Sequence, residues 1–302
     1  MTPLQLFCQQ LANGLTLGAI YALIALGYTM IYGVIQLINF AHGEVFIVGA
    51  CLALTVVLMV GANILPWWLL IVVMGAVALG GCALLGLGVE RLAYRPIRQA
   101  PRLNALITAI GMSFALQNLL MLLYGPNDRR FPNPLPMLRW DIGGVSVTLM
   151  QVVVWLMSGL FMVGLQLLVT RTKLGMAMRA TSQDLNACAL LGIPVDRIIA
   201  MTFVIGSVLA AVGGMLFGLH YGTINFHDGY MVGLKAFTAA VLGGIGNIPG
   251  AMVGGIVLGL LEGLGAGYLS SQWKNVFAFV ILVVLLLFKP TGLLGERVAD
   301  RA

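Results

Sequence analysis

The sequence predicts an all-α, polytopic membrane helix bundle of about eight hydrophobic segments, one of them broken or re-entrant. Three observations predict it. Charged residues make up 9% of the 302 positions and hydrophobic residues 60%, whereas a soluble domain carries roughly 25% charge. Uncharged runs cover 1–43, 45–89, 103–127, 142–170, 198–227, 236–261 and 275–288, and a bilayer crossing needs about 20 apolar residues. These runs are apolar on every side, where the strands of a membrane barrel would alternate apolar and polar residues. So few charges cannot cover a water-facing surface, which excludes an ordinary soluble enzyme, a disordered chain and a nucleic-acid binder. The length leaves room for one transmembrane domain over 1–302 and no separate soluble domain. The four cysteines stand apart without a CxxC pair, so neither a disulfide framework nor a zinc site is expected.

The first segment is placed at 9–33. The stretch before it lacks the positive n-region of a cleaved signal and reads as the lead-in to a membrane helix. The run from 45 to 89 contains Pro66-Trp67-Trp68. Proline interrupts a helix and tryptophan favours the membrane interface, so the run splits into spans at 44–61 and 67–89. Further spans are expected at 103–124, 146–169 and 198–219. The seventh segment, 236–262, carries Gly243-Gly244-Ile245-Gly246-Asn247-Ile248-Pro249-Gly250 at its centre. Such a stretch does not continue a regular helix, and broken backbone at membrane depth requires protein or a watery cavity beside it. Two readings remain: a pair of half-helices that enter and return to the outer face, or one kinked span. The last segment is 270–288.

Basic residues orient the bundle. Arg91, Arg95, Arg98 and Arg102 form one cluster, and Arg171, Lys173, Arg179 and Arg197 a second; together they are eight of the 16 basic residues. Both clusters are assigned to the cytoplasm, with two spans between them. The N-terminus and the proline-rich loop at 125–144 then lie outside. Under the re-entrant reading, Lys289, Arg297 and Arg301 end in the cytoplasm. The net charge of +6 is therefore a record of topology.

Two polar stretches stand out. The charged loop at 171–197 reads as a short amphipathic helix or as a plain connection. Thr181 or Ser182 is its candidate cap, Asp184 lies in its first turn, and Ala187, Ala189, Leu190 and Leu191 form a small apolar face. Gly192 takes the C-terminal glycine position and Pro194 the stop. The second stretch, Asn39-Phe40-Ala41-His42-Gly43-Glu44, sets an amide, an imidazole and a carboxylate between apolar spans. It reads either as a polar patch in a translocation path or as groups that satisfy free backbone at a turn. No metal site is expected there, because no second His or Cys lies at ligand spacing. Glu262 lies in a ladder of Gly255, Gly259, Gly263 and Gly267, a small-xxx-small face suited to close packing within the chain. The expectation for Glu262 itself is an outer-rim position, and His220 and His227 are expected near the outer surface.

The stretch GMAMRATSQDLNACALLGIPVDRIIAMTFVIGSVLAAVGGML resembles the central segment of LivH-type permease subunits of branched-chain amino-acid ABC transporters. The N-terminal LTLGAIYALIALGYTMIYGVIQLINFAHGEVFIVGA is similar to that family's opening segment, and VLGGIGNIPGAMVGGIVLG to its C-terminal segment. The resemblance implies an ABC importer permease in a bacterial inner (cytoplasmic) membrane. It also implies that 171–197 docks on an ATPase, with Gly175, Arg179, Asp184, Ala187, Leu190, Gly192, Asp196 and Arg197 as coupling residues. Asn39, His42, Glu44, Gly244 and Asn247 are the translocation-path candidates. The implied partners are a second permease subunit, two cytoplasmic ATP-binding subunits, a periplasmic solute-binding protein and the lipid bilayer. ATP and Mg belong to the ATPases, for this chain has no P-loop motif and no cofactor of its own is expected. Urea or short-chain amide permeases share the pattern and stay open as alternatives. An ion-coupled secondary transporter would need paired helix breaks and coupling acids. An intramembrane enzyme would need a nucleophile, base or metal constellation, and none is visible.

Overall fold

The computed structural model describes residues 2–61, 64–98, 100–270, 273–289 and 291–295, with only the backbone of Arg102, Lys274, Phe277 and Ala278. The cytoplasmic assignments of Arg297 and Arg301 lie outside the described residues. The helices are α1 (Pro3–Ile35), α2 (His42–Val60), α3 (Trp67–Val89), α4 (Arg102–Tyr124), α5 (Leu149–Arg171), α6 (Lys173–Gln183), α7 (Leu185–Leu190), α8 (Val195–Tyr221), α9 (Asp228–Gly243), α10 (Ile248–Tyr268) and α11 (Lys274–Phe288). Seven of them, α1 to α5, α8 and α10, are long and apolar enough to cross a membrane. The chain is a multi-pass all-α membrane bundle.

Helix α1 starts at Pro3, earlier than the charge pattern alone suggested. Thr2 accepts from the Gln5 amide and the Gln5 side chain accepts from the Thr2 amide, a capping box. From there α1 runs through the middle of the bundle. Its residues from Ala19 to Leu26 are all buried. Helices α8, α9 and α10 pack against it, whereas α3, α4 and α5 leave most of their side chains facing outward.

Its closest neighbour is α10, through the glycine ladder. A Cβ on Gly259 would stand 2.1 Å from the Gly18 amide nitrogen, and one on Gly255 2.4 Å from the Ala22 Cα. Lipid is as apolar as a leucine side chain, so helices in a membrane associate by close backbone packing of this kind. The ladder does pack within the chain, as its spacing predicts.

One end of the bundle is basic. There the cluster after α3 meets the one after α5, because Asp196 pairs with both Arg95 and Arg98. The opposite end carries the N-terminus and the 125–148 segment: the Gln5 amide group donates to the Gly143 carbonyl at 3.2 Å, and that of Gln9 to the Ser146 carbonyl at 3.1 Å. This segment is not a plain stiff loop. Strands β2 (Arg139–Ile142) and β3 (Val145–Thr148) pair antiparallel across Gly143-Gly144, and β1 (Arg129–Arg130) pairs with β4 (Thr223–Ile224). The span expected at 146–169 accordingly starts at Leu149, after β3.

The glycine-rich segment breaks where the sequence breaks, at 244–247, but the two pieces are not half-helices ending at mid-membrane. Helix α9 descends from the N-terminal face to the basic face, and α10 returns along α1 until Gly267 meets Gln10. The turn lies at the basic face, beside Thr170 and Arg179. Helix α11 then runs back, and the amides of Leu293 and Leu294 donate to the carbonyls of Leu242 and Gly243 at 2.8 and 3.0 Å. The path enters and returns, with α9 and α10 meeting at the basic face.

Candidate coupling surface and polar interior

The basic-face segment 171–197 folds as two helices. Gly175 lies in the first turn of α6, where a Cβ would stand 2.3 Å from the Val169 carbonyl oxygen. Only glycine lets α6 fold back on α5, so its role is in the turn. The expected caps are displaced: the Thr181 and Ser182 hydroxyls donate backward to the Ala177 and Arg179 carbonyls. Asp184 is itself the cap of α7, accepting from the amides of Asn186 and Ala187 at 2.8 and 3.0 Å. Gly192 closes α7 with φ +80°, and the Ile193 amide donates to the Cys188 carbonyl at 3.0 Å. Proline 194 precedes α8.

Helix α7 therefore stands as a short rigid projection. Cys188 is its one buried side chain, whereas Leu190 and Leu191 are 89% and 80% exposed and Ala187 is exposed beside them. Aliphatic side chains left bare between basic residues are suited to the groove of a partner. Arg179 is exposed near Gly246 and Asn247. Arg197 lines a cavity of about 590 Å³ with Glu90, Arg91 and Arg95.

Asp196, expected among the coupling residues, is half exposed and lines the same cavity. It accepts from Arg95 and Arg98, and Arg98 also pairs with Glu90. These four groups clamp the start of α8 to the end of α3, where the helix widens to a π turn at Glu90–Tyr94. The pairs differ in consequence. Arg95 and Asp196 are both half exposed, and exposed pairs contribute about 0–1 kcal/mol. Glu90 is 2% exposed, so removing Arg98 strands a buried carboxylate at a cost of about 3–5 kcal/mol. R98A is thus expected to destabilise the purified chain far more than R95A in thermal unfolding; equal melting temperatures would contradict the clamp.

Asn39, His42 and Glu44 are brought close together inside the bundle, and Gly244 and Asn247 are not with them. After α1 the chain turns at Gln36 (φ +53°) and runs back inward before α2 begins. Asn39 serves the backbone: its Oδ1 accepts from the Ala41 amide at 3.1 Å and from the Tyr94 hydroxyl at 3.0 Å. His42 packs edge-on to Tyr28, in space left by Gly27. Glu44 serves no backbone group. Its Oε1 accepts from Ser113 at 3.2 Å, and its buried Oε2 has no hydrogen-bond partner. Gly244 and Asn247 belong to the α9–α10 turn: Asn247 caps α10 through the Gly250 amide at 3.0 Å and donates to the Leu294 carbonyl at 2.7 Å.

Sequence reasoning missed a buried ion pair. Lys235 Nζ lies 2.8 Å from Glu262 Oε1, and the Tyr21 hydroxyl donates to Glu262 Oε2 at 3.0 Å. This corrects the outer-rim placement of Glu262, which is 2% exposed. The signal available was that two lone opposite charges interrupt neighbouring apolar runs; nothing local says that they meet. His227 is exposed as expected, its Nδ1 3.0 Å from Gln117 Nε2, and His220 is half-buried in a cavity beside Asn133 at the N-terminal end of the bundle.

Comparison with known proteins agrees with this architecture. Residues 10–286 match the family model described as branched-chain amino acid transport system / permease component. The chain is 48% identical to the high-affinity branched-chain amino acid transport system permease protein LivH of Escherichia coli K12, over 98% of this chain and 97% of that one. It is 47% identical to the corresponding permease protein BraD of Pseudomonas aeruginosa, over 98% of each. A more distant likeness, 29% over 62% of this chain, is to the autoinducer 2 import system permease protein LsrC of Yersinia enterocolitica. No solved structure matches. A multi-pass helical bundle with a capped, projecting helix on its basic face, matched over nearly its whole length, belongs to the family of branched-chain amino acid transport system permease components.

Proposed function

We propose that the chain is the membrane permease subunit of an ATP-driven ABC importer of branched-chain amino acids, resident in a bacterial inner membrane. In this reading the basic face is cytoplasmic and α7 docks on an ATPase subunit. A second permease, two ATPases with their ATP and Mg, and a periplasmic solute-binding protein complete the machine. The high identity to permeases named for branched-chain amino acids favours that solute over urea or short amides. It equally disfavours an ion-coupled carrier or an intramembrane enzyme.

The observation that carries the coupling role is the bare apolar edge of α7 on a rigid mount. Asp184 fixes one end of the helix and Gly192 the other. The Asp196 clamp ties the following helix to α3. A push on α7 therefore reaches α3 and α8 as rigid-body motion. ATP binding closes the ATPases, α7 moves with them, and the permease pair opens its path to the other side. Direction follows from the binding protein, which delivers solute only outside.

Tryptophan at Ala187 or aspartate at Gly192 is expected to uncouple ATP hydrolysis from uptake while the complex still assembles. Normal uptake in both variants would argue against α7 as the coupling helix. The composition of the machine is tested by purifying the tagged chain from its native membrane. Recovery with two ATPase subunits and a second permease is expected; recovery alone, with uptake intact, would overturn the reading.

A further inference from the structure

A small cavity lies between α1, α4 and α9, with a volume of about 180 Å³. Tyr28, Phe40, Phe114 and Leu234 make most of its wall apolar, while Ser113 and Gly229 close one end. Phe114 and Tyr230 at its mouth are exposed, so it opens on the side of the bundle. An engineered apolar cavity of about 150 Å³ takes up benzene, so this space suits an organic solute of slightly larger size.

Glu44 stands directly behind the closed end. Ser113 donates to one of its oxygens. The other, Oε2, would lie 2.6 Å from a Cβ on Gly229, and a Cβ on Gly233 would lie 3.2 Å from the Tyr28 hydroxyl. Two glycines one turn apart on α9 thus strip the wall and leave a carboxylate oxygen and a phenol behind it. That oxygen is buried without a hydrogen-bond partner, and no ion pair involves Glu44 among the described residues. The neighbouring cation Lys235 is held by Glu262. A buried carboxylate with one neutral donor is short of partners, and a cation that reached it past Ser113 and Gly229 from the cavity would supply one.

We infer that this cavity is a transit site for the amino-acid zwitterion. The solute's ammonium is held by Glu44, its alkyl side chain by Phe40, Phe114 and Leu234, and its carboxylate by the Tyr28 hydroxyl. The inference rests on the solute proposed above and adds where the permease holds it. The site is weak and briefly occupied, as a conducting path requires.

The assembled transporter without nucleotide provides the test. Dicyclohexylcarbodiimide modifies carboxyl groups in apolar surroundings, and peptide mass spectrometry reads the label on Glu44. Millimolar leucine, and isoamylamine, which has an ammonium and no carboxylate, are expected to protect Glu44. The same concentration of 4-methylpentanoate, which has no ammonium, is not. In proteoliposomes E44Q is expected to lower leucine uptake per assembled complex about tenfold, the worth of one charge-assisted hydrogen bond, with E44D intermediate. Equal protection by 4-methylpentanoate, no protection by leucine, no label at Glu44 without solute, or full uptake by E44Q would each overturn the inference. Failure of the unaltered complex to take up leucine would instead overturn the solute reading.

Discussion

Replacing Lys235 by methionine is expected to destabilise the chain by about 3–5 kcal/mol, the usual cost of leaving one partner of a buried ion pair uncompensated. Glu262 is almost fully enclosed, and after the substitution it would keep only the Tyr21 hydroxyl. The pair joins α9 to α10, and Tyr21 adds α1, so three helices lose a shared contact. The double variant K235M/E262Q is expected to recover most of the loss. Glutamine is neutral and still accepts from Tyr21, whereas leucine there would leave a buried hydroxyl unpaired at about 1–3 kcal/mol. Thermal unfolding of the purified chain in detergent measures all three. A double variant no better than K235M would show that the pair does not act as a unit.

The second large effect concerns Gly259. A Cβ there meets Gly18 backbone atoms at 2.1 and 2.2 Å and the Gly14 carbonyl oxygen at 2.6 Å. Backbone inside a buried helix has no rotamer by which to yield, so α1 and α10 must part. Overpacking a core costs typically about 1–3 kcal/mol, and G259A is expected at or above the top of that range, with G259L worse. Gly159 in α5 is the control, because nothing lies within 4 Å of a Cβ there. G159A is expected to be neutral or to stabilise by up to about 1 kcal/mol through helix propensity. Similar losses for G259A and G159A would remove the ladder from the account.

Most of the bundle was legible because water excludes long uncharged runs and lipid accepts them. The same rule explains the errors. The uncharged run that defines the seventh segment starts at 236, just after Lys235, although α9 begins at Asp228. A charge marks a loop only when it lacks a partner inside the membrane, and the partner, Glu262, is 27 residues away. The break at 244–247 was plain from glycine and proline chemistry, but its depth depends on what surrounds it. The β2–β3 hairpin was overlooked although Gly143 and Gly144 both have positive φ, as a two-residue hairpin turn demands. Four-residue strands are too short for alternation to register. In the coupling segment the end of α7 was legible at Gly192, while the cap was set two or three residues early. Spacing points to Thr181 or Ser182, and only the fold of α6, which turns both hydroxyls back to its own carbonyls, leaves the cap to Asp184. Asp196 matched a family motif without showing that its partners are Arg95 and Arg98, about 100 residues earlier in the chain.

In the proposed function this chain conducts branched-chain amino acids under ATP control through α7. The most direct measurement is uptake of radiolabelled leucine into proteoliposomes holding the full complex, with the binding protein outside the vesicles and ATP on the ATPase side. Uptake is expected to require both ATP and binding protein, to exceed uptake of urea or acetamide, and to fall to background in L190E although ATP is still hydrolysed. Leucine uptake driven by an ion gradient through this chain without ATPases would contradict the account.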